Sequence, residues 1–186
     1  MRTRFFRAAL FALALGIGGI IPVRVQAQAQ VPLANTADVA SIDAIMHAVY
    51  DVISGPAGQK RDWDRFRSLF QPGARLIPSG PRQQGGFGLR VLTPEEYATN
   101  AGASLEQNGF FEVEIARTVE EYGQIAHVFS TYESRRNASD AEPFARGINS
   151  FQLFNDGTRW WVVTIYWQQE SPAAPIPAKY LPRGGR

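Results

Sequence analysis

The chain has 186 residues, with 19 Lys and Arg against 17 Asp and Glu for a formal charge of +2, 45% hydrophobic residues and no cysteine. This is the composition of a folded domain with an apolar core. It excludes a disulfide framework, a thiolate metal centre and a cysteine-linked lipid anchor.

The first residues read as an address. Arg2, Arg4 and Arg7 form a basic start, residues 8–21 are apolar and glycine-rich, and Ala27-Gln28-Ala29 has the small-x-small pattern of a signal-peptidase site. A signal peptide over 1–29 is predicted, cut before Gln30, with cleavage after Ala27 as the second choice. The apolar run is shorter than the roughly 20 residues that span a bilayer. The prediction is therefore a periplasmic or secreted protein with no membrane association after cleavage. Losing the leader removes Arg2, Arg4, Arg7 and Arg24 and no acid, so the formal charge of +2 becomes −2. A nucleic-acid partner loses its support, because phosphate binding needs a clustered basic face. The roughly 155 remaining residues suffice for one domain.

Val39, Ile42, Ile45, Met46, Val49, Val52 and Ile53 recur at helical spacing, with Asn35 or Thr36 as the cap and Gly55-Pro56 as the stop. A shorter stripe, Trp63, Phe66, Leu69 and Phe70, opens at Asp62 and ends at Pro72-Gly73. Short strands are predicted at 74–77 and 89–92, flanking a Gly-, Pro- and Gln-rich loop. Thr93-Pro94-Glu95-Glu96 starts a third helix: Thr93 caps, Pro94 occupies the first turn, where a missing N–H costs nothing, and Glu96 closes a capping box. That helix is predicted to end near Glu106. The period then switches to two, predicting strands at 110–118, 124–134, 145–155 and 158–168. Asn155-Asp156-Gly157 forms the last hairpin turn. Helices first and strands last argue an α+β fold, a curved antiparallel sheet packed on N-terminal helices. The last two strands are apolar on both faces. One face covers the helices, and the other is expected to be buried in a homodimer formed through the sheet. Residues 171–186 read as an extended Pro-rich tail with mobile last residues.

The order of elements, with the phrases Phe70-Gln-Pro-Gly-Ala-Arg-Leu-Ile, Gly123-Gln-Ile-Ala-His-Val-Phe-Ser-Thr-Tyr-Glu133, Gly147-Ile-Asn-Ser-Phe-Gln-Leu and Asp156-Gly-Thr-Arg-Trp-Trp-Val-Val-Thr-Ile-Tyr-Trp167, resembles the nuclear transport factor 2-like superfamily. That superfamily includes SnoaL-like proteins, ketosteroid isomerases and scytalone dehydratase. The resemblance runs over roughly 38–170 of the domain placed at 30–170. It implies a cone with an internal pocket between sheet and helices, and it does not fix a reaction, because the fold hosts isomerases, dehydratases, cyclases and binding modules. Matching the last strand to the steroid isomerases implies that Val163, Ile165 and Trp167 face the pocket. Tyr50 falls where those enzymes carry an enolate-binding phenol. Their carboxylate base is missing, since residues 70–92 contain no acid and the matching place is Ile77 or Pro78. Their second acid would fall near Asn149 or Ser150.

His127 is the other candidate for chemistry, because imidazole exchanges a proton near neutral pH. The plainer alternative is a core histidine satisfied by Glu133 or Asn149. Asn149 is a polar residue among apolar same-face neighbours, Phe151 and Leu153, and so a candidate ligand contact. His47 is expected to face solvent. Two separated histidines predict no metal site, and no cofactor is expected. Two functional readings remain, with enzymatic activity left open. The first is an exported binding domain for a small organic ligand. The second is a cofactor-independent lyase or isomerase with His127 as proton shuttle and Tyr50 or Asn149 polarising a carbonyl. A ligand-free structural homodimer is a third reading. The orientation of His127 discriminates between the first two.

Overall fold

The structure is a computed structural model describing residues 31–182. The predicted leader, 1–29, and the end of the tail lie outside the described residues. Among the described residues no helix is long and apolar enough to cross a membrane.

The first helical stripe is two helices. Asn35 caps α1 (Thr36–Val39) by accepting from the Ala37 N–H, the chain breaks at Ala40, and Ser41 recaps α2 (Ile42–Ile53) by accepting from the Ala44 N–H. A serine in the extended conformation satisfies an orphan donor and restarts the helix, which the apolar spacing alone does not disclose. Helix α2 buries Ile45, Met46, Val49, Tyr50, Val52 and Ile53 against the sheet. Each large apolar side chain so buried contributes about 1.5–3 kcal/mol.

Helix α3 (Trp63–Ser68) begins at Asp62 and is followed directly by β1 (Phe70–Pro81). That strand extends on both sides of the short one predicted. Strand β2 (Phe87–Leu89) folds back on the end of β1. Helix α4 (Pro94–Asn108) has the predicted capping box and Pro94 in its first turn. Strands β3 (Phe111–Tyr122), β4 (Ile125–Arg135), β5 (Ala145–Asn155) and β6 (Trp160–Gln169) complete a six-stranded sheet in the order β2-β1-β6-β5-β4-β3. The pairing is antiparallel except between β1 and β6, which run parallel. The result is an α+β fold in which a curved, unclosed sheet packs on the helices.

Two bulges decide which side chains face inward. In β3, Glu114 opposes Tyr132 but Ala116 opposes Thr131, so Ile115 is the extra residue. In β6, Thr164 opposes Gln152 while Val162 opposes Leu153, so Val163 is the extra residue. A bulge resets the two-residue alternation. Trp160 and Val162 therefore join Ile165 and Trp167 on the concave side. Val163, expected to face the pocket with Ile165 and Trp167, sits at the irregularity and does not line the cavity.

The tail packs back on the sheet. After Gln169 the chain turns at a Ser171–Ala174 bridge and enters a short 3-10 helix, Ala178–Tyr180. Thr131 Oγ1 donates to the Tyr180 carbonyl at 2.6 Å, and the Tyr180 and Phe129 rings meet edge to face with centroids 4.9 Å apart. Part of the convex face is thus covered by the chain itself, while Ile125, Tyr122 and Tyr166 remain exposed.

Candidate functional site

A cavity of about 230 Å³ lies between the concave face of the sheet, α2 and α4. Val49, Ile53, Leu76, Leu105 and Ile165 give it an aliphatic floor, and Phe66, Tyr97, Phe110, Tyr132, Phe144, Phe151 and Trp167 give it aromatic walls. Phe144, Ala145 and Gln169 also border the surface depression beside Glu142 and Arg146, and so mark the mouth. Arg136 lies over the Phe144 ring, 4.2 Å from its centroid, and holds that aromatic at the rim.

Against this apolar background one polar cluster forms the wall. Glu112, at the start of β3, lies directly opposite Ser134 on β4. Ser134 Oγ donates to Glu112 Oε2 at 2.9 Å, and Asn149 Nδ2, from β5, reaches Glu112 Oε1 at 3.4 Å. The same Asn149 amide donates to the Tyr50 hydroxyl at 3.1 Å. Tyr50 Oη is 2.7 Å from Ser130 Oγ, and Ser130 donates to Glu114. Burial raises the Glu114 carboxyl, while its hydrogen bond from Ser130 and its pairing with Arg117 at 2.7 Å oppose that rise. These bonds fix the direction of the chain: Asn149 donates to Tyr50, Tyr50 to Ser130, and Ser130 to Glu114. The phenolic hydrogen of Tyr50 is committed away from the cavity, so Tyr50 orients Asn149 and is not placed to donate to a ligand.

Burial pushes the Glu112 carboxyl up to about 7, and the two hydrogen bonds from Ser134 and Asn149 partly oppose that rise. Burial also raises the phenols of Tyr50, Tyr97 and Tyr132, and the nearby Glu112 charge adds to each. Among the described residues that line the cavity, Glu112 is the one carboxyl and none is a Lys, Arg or His. Gly147 is required at this wall, because a Cβ on it would collide with the Tyr132 hydroxyl and the Gln168 carbonyl.

Of the residues singled out in the sequence, Tyr50, Asn149, Ile165 and Trp167 meet at this cavity. His127 does not. It opposes Glu120 and Gln152 on the convex face, with Nε2 3.0 Å from Ser150 Oγ and Nδ1 3.8 Å from the Glu120 carboxylate. Alternation along β4 explains this: Ala126, Val128, Ser130, Tyr132 and Ser134 are buried on the concave side, so His127 points the other way. Neither Glu133 nor Asn149 is its neighbour; Glu133 pairs with Arg135. His47 is exposed on α2. Among the described residues no group of three or more His, Asp or Glu side chains could hold a metal ion.

Glu112 is the titratable cavity residue that the sequence reading did not single out. Phe111-Glu-Val-Glu-Ile115 alternates apolar and polar, and the ordinary rule sends the apolar set inward. Here the polar set faces inward and Val113 is exposed. The available signal was the facing strand, whose inward set carries the hydroxyls of Ser130, Tyr132 and Ser134.

No family model matches the sequence, and no curated protein matches it. Solved structures do. The chain is similar to a protein of unknown function with a cystatin-like fold from Nostoc punctiforme, at 13% identity and TM-score 0.54, over 73% of this chain and 92% of that one. It is similar to an NTF2-like protein with a cystatin-like fold from Novosphingobium aromaticivorans, at 13% identity and TM-score 0.52, over 73% and 84% of the two chains. LinA aligns at 10% identity and TM-score 0.51, over 79% of this chain and 90% of its own. Likeness at such identities concerns the fold and no activity. In fold, the chain is similar to solved structures described as NTF2-like and cystatin-like, an α+β architecture of a curved sheet packed on helices.

Proposed function

We propose that the protein is an exported small-molecule-binding domain whose ligand occupies the cavity between the concave sheet and the helices. The supporting observation is the contrast within one cavity: aromatic and aliphatic walls onto which Glu112, Ser134 and Asn149 converge, with Gln169 at the mouth. Apolar pockets with a few convergent polar groups are the usual form of small-molecule sites. At about 230 Å³ the cavity exceeds the roughly 150 Å³ of an engineered apolar cavity that admits benzene. Native mass spectrometry of the protein purified from its own host tests this reading. A small molecule released on collisional activation supports it; a bare chain, together with no melting shift from any member of a fragment collection, contradicts it.

A second reading, a cofactor-independent lyase or isomerase, is favoured by Glu112 and not by His127. A half-buried carboxyl with its pKa raised to about 7 is matched to proton exchange near neutral pH. Turnover of a cavity ligand that disappears in Glu112→Gln would support it. Export rests on the tripartite leader, and N-terminal sequencing tests it. Homodimerisation through the convex face rests on the exposure of Tyr122, Ile125 and Tyr166 beyond the docked tail. Light scattering that finds only monomer at micromolar concentration would contradict it.

A further inference from the structure

We infer that the ligand of this cavity is a small organic cation, an aromatic or alkyl amine whose protonated nitrogen pairs with Glu112. The inference rests on the cavity reading above and adds to it the chemical class of the occupant.

Three observations carry it. First, among the described residues that line the cavity Glu112 is the one carboxyl, and none is a Lys, Arg or His. A carboxylate removed from water without a counter-ion is costly, and a cation delivered by the ligand removes that cost. Second, both protein partners of the carboxyl donate to it: Ser134 Oγ to Oε2 and Asn149 Nδ2 to Oε1. That arrangement suits an ionised acceptor, and an ammonium N–H extends it with a further donor. A ligand carbonyl would need the protonated acid instead. Third, the remaining walls include Tyr97, Tyr132, Phe110 and Trp167, rings whose negative faces attract a cation. An anionic ligand meets the opposite situation, with Glu112 repelling it and no basic side chain to receive it.

The groups that face Glu112 are Tyr50 from α2, Tyr97 from α4, Tyr132 and Ser134 from β4, and Asn149 from β5. On its other side Glu112 borders a surface depression lined by Asp43, His47 and Asp51 of α2 and by Glu114 and Arg117 of β3, where Arg117 pairs with both Glu114 and Asp43. The phenols stay neutral in the accessible range, since burial raises all three. Glu112 is then the group that titrates in the cavity near neutral pH. Below pH 7 the free protein holds Glu112 protonated, so capture of an ammonium must release that proton.

Isothermal titration with benzylamine, benzyl alcohol and benzoate, run in buffers of different ionisation enthalpy, tests the inference. Benzylamine, protonated at neutral pH, is expected to bind at least tenfold more tightly than benzyl alcohol at pH 8. Its affinity should fall by about tenfold for each pH unit below 7, with release approaching one proton per ligand. In Glu112→Gln the preference and the proton release should both vanish while benzyl alcohol still binds, which also reports an intact cavity. If the variant binds none of the three, the proton release of the unsubstituted protein alone decides. Benzyl alcohol or benzoate binding as tightly as benzylamine, or benzylamine binding without proton release at pH 6, overturns the inference and leaves the cavity reading standing. Failure of all three to bind overturns the inference too, and native mass spectrometry then decides the cavity reading separately.

Discussion

Ser134 and Glu112 face each other across the β3–β4 pair, with Ser134 Oγ 2.9 Å from Glu112 Oε2. The register of two strands therefore places an acid in the wall of an apolar cavity and supplies it with a donor at the same step. Asn149 adds a second donor from β5. What the cavity does electrostatically follows from this one group.

Stability should depend on the Glu112 charge. Its folded pKa of about 7 stands above the ordinary 4.5, so folding favours the protonated form. The contribution is fully present below about pH 4.5, declines as the pH rises through 7, and amounts by pH 8 to a loss of roughly 3 kcal/mol. Glu112→Gln, which carries no charge, should melt higher than the unsubstituted protein at pH 8 and about equally at pH 4. Melting temperatures of both proteins from pH 4 to 8 check this; parallel curves would show that Glu112 titrates normally.

Tyr50→Phe should cost stability and spare ligand binding. The change removes the acceptor of Asn149 and the donor to Ser130, both buried. Leaving such groups unpaired costs about 1–3 kcal/mol. Urea denaturation measures the loss. A large fall in affinity for a cavity fragment with unchanged stability would make Tyr50 a ligand contact.

Arg61 is buried beside the mouths of two helix ends. Its guanidinium donates to the carbonyls of Ile53, Gly55, Gln59 and Leu105, joining the end of α2 to that of α4. Gly55 is needed there, since a Cβ would meet the guanidinium at 2.7 Å. Arg61→Lys keeps the charge but cannot span the four acceptors, and should cost about 1.5–3 kcal/mol by the same denaturation assay.

His127→Gln should leave cavity binding unchanged. His127 lies on the convex face, and its contacts are Ser150 and Glu120. A Gln can still bond Ser150, so the melting temperature should move little. Loss of fragment affinity in this variant would require His127 to act on the cavity through the sheet.

The helix starts at Asp62 and Thr93, the first start to within Asn35 or Thr36, the sheet-forming second half and the Asp156 turn were legible in the sequence because each is set by local chemistry. In the turn, Asp156 accepts from Thr158 and from the Arg159 N–H, next to Gly157 at φ 93°. Tyr50, Asn149, Ile165 and Trp167 were legible as cavity residues through resemblance and burial. Val163 was misplaced because a bulge shifts alternation by one residue, and a bulge depends on pairing with neighbours distant in sequence. Glu112 was missed for a related reason. Its inward direction is fixed by its register with Ser134, and the local pattern of β3 points the other way.

Carboxyl-carbon NMR of Glu112, assigned by the resonance that disappears in Glu112→Gln, is the most direct test of a ligand cavity built around that residue. The account predicts that this resonance titrates near pH 7 in the free protein and shifts when a cavity fragment such as benzylamine is added. A resonance that titrates near the ordinary 4.5, and that no bound fragment perturbs, would contradict it.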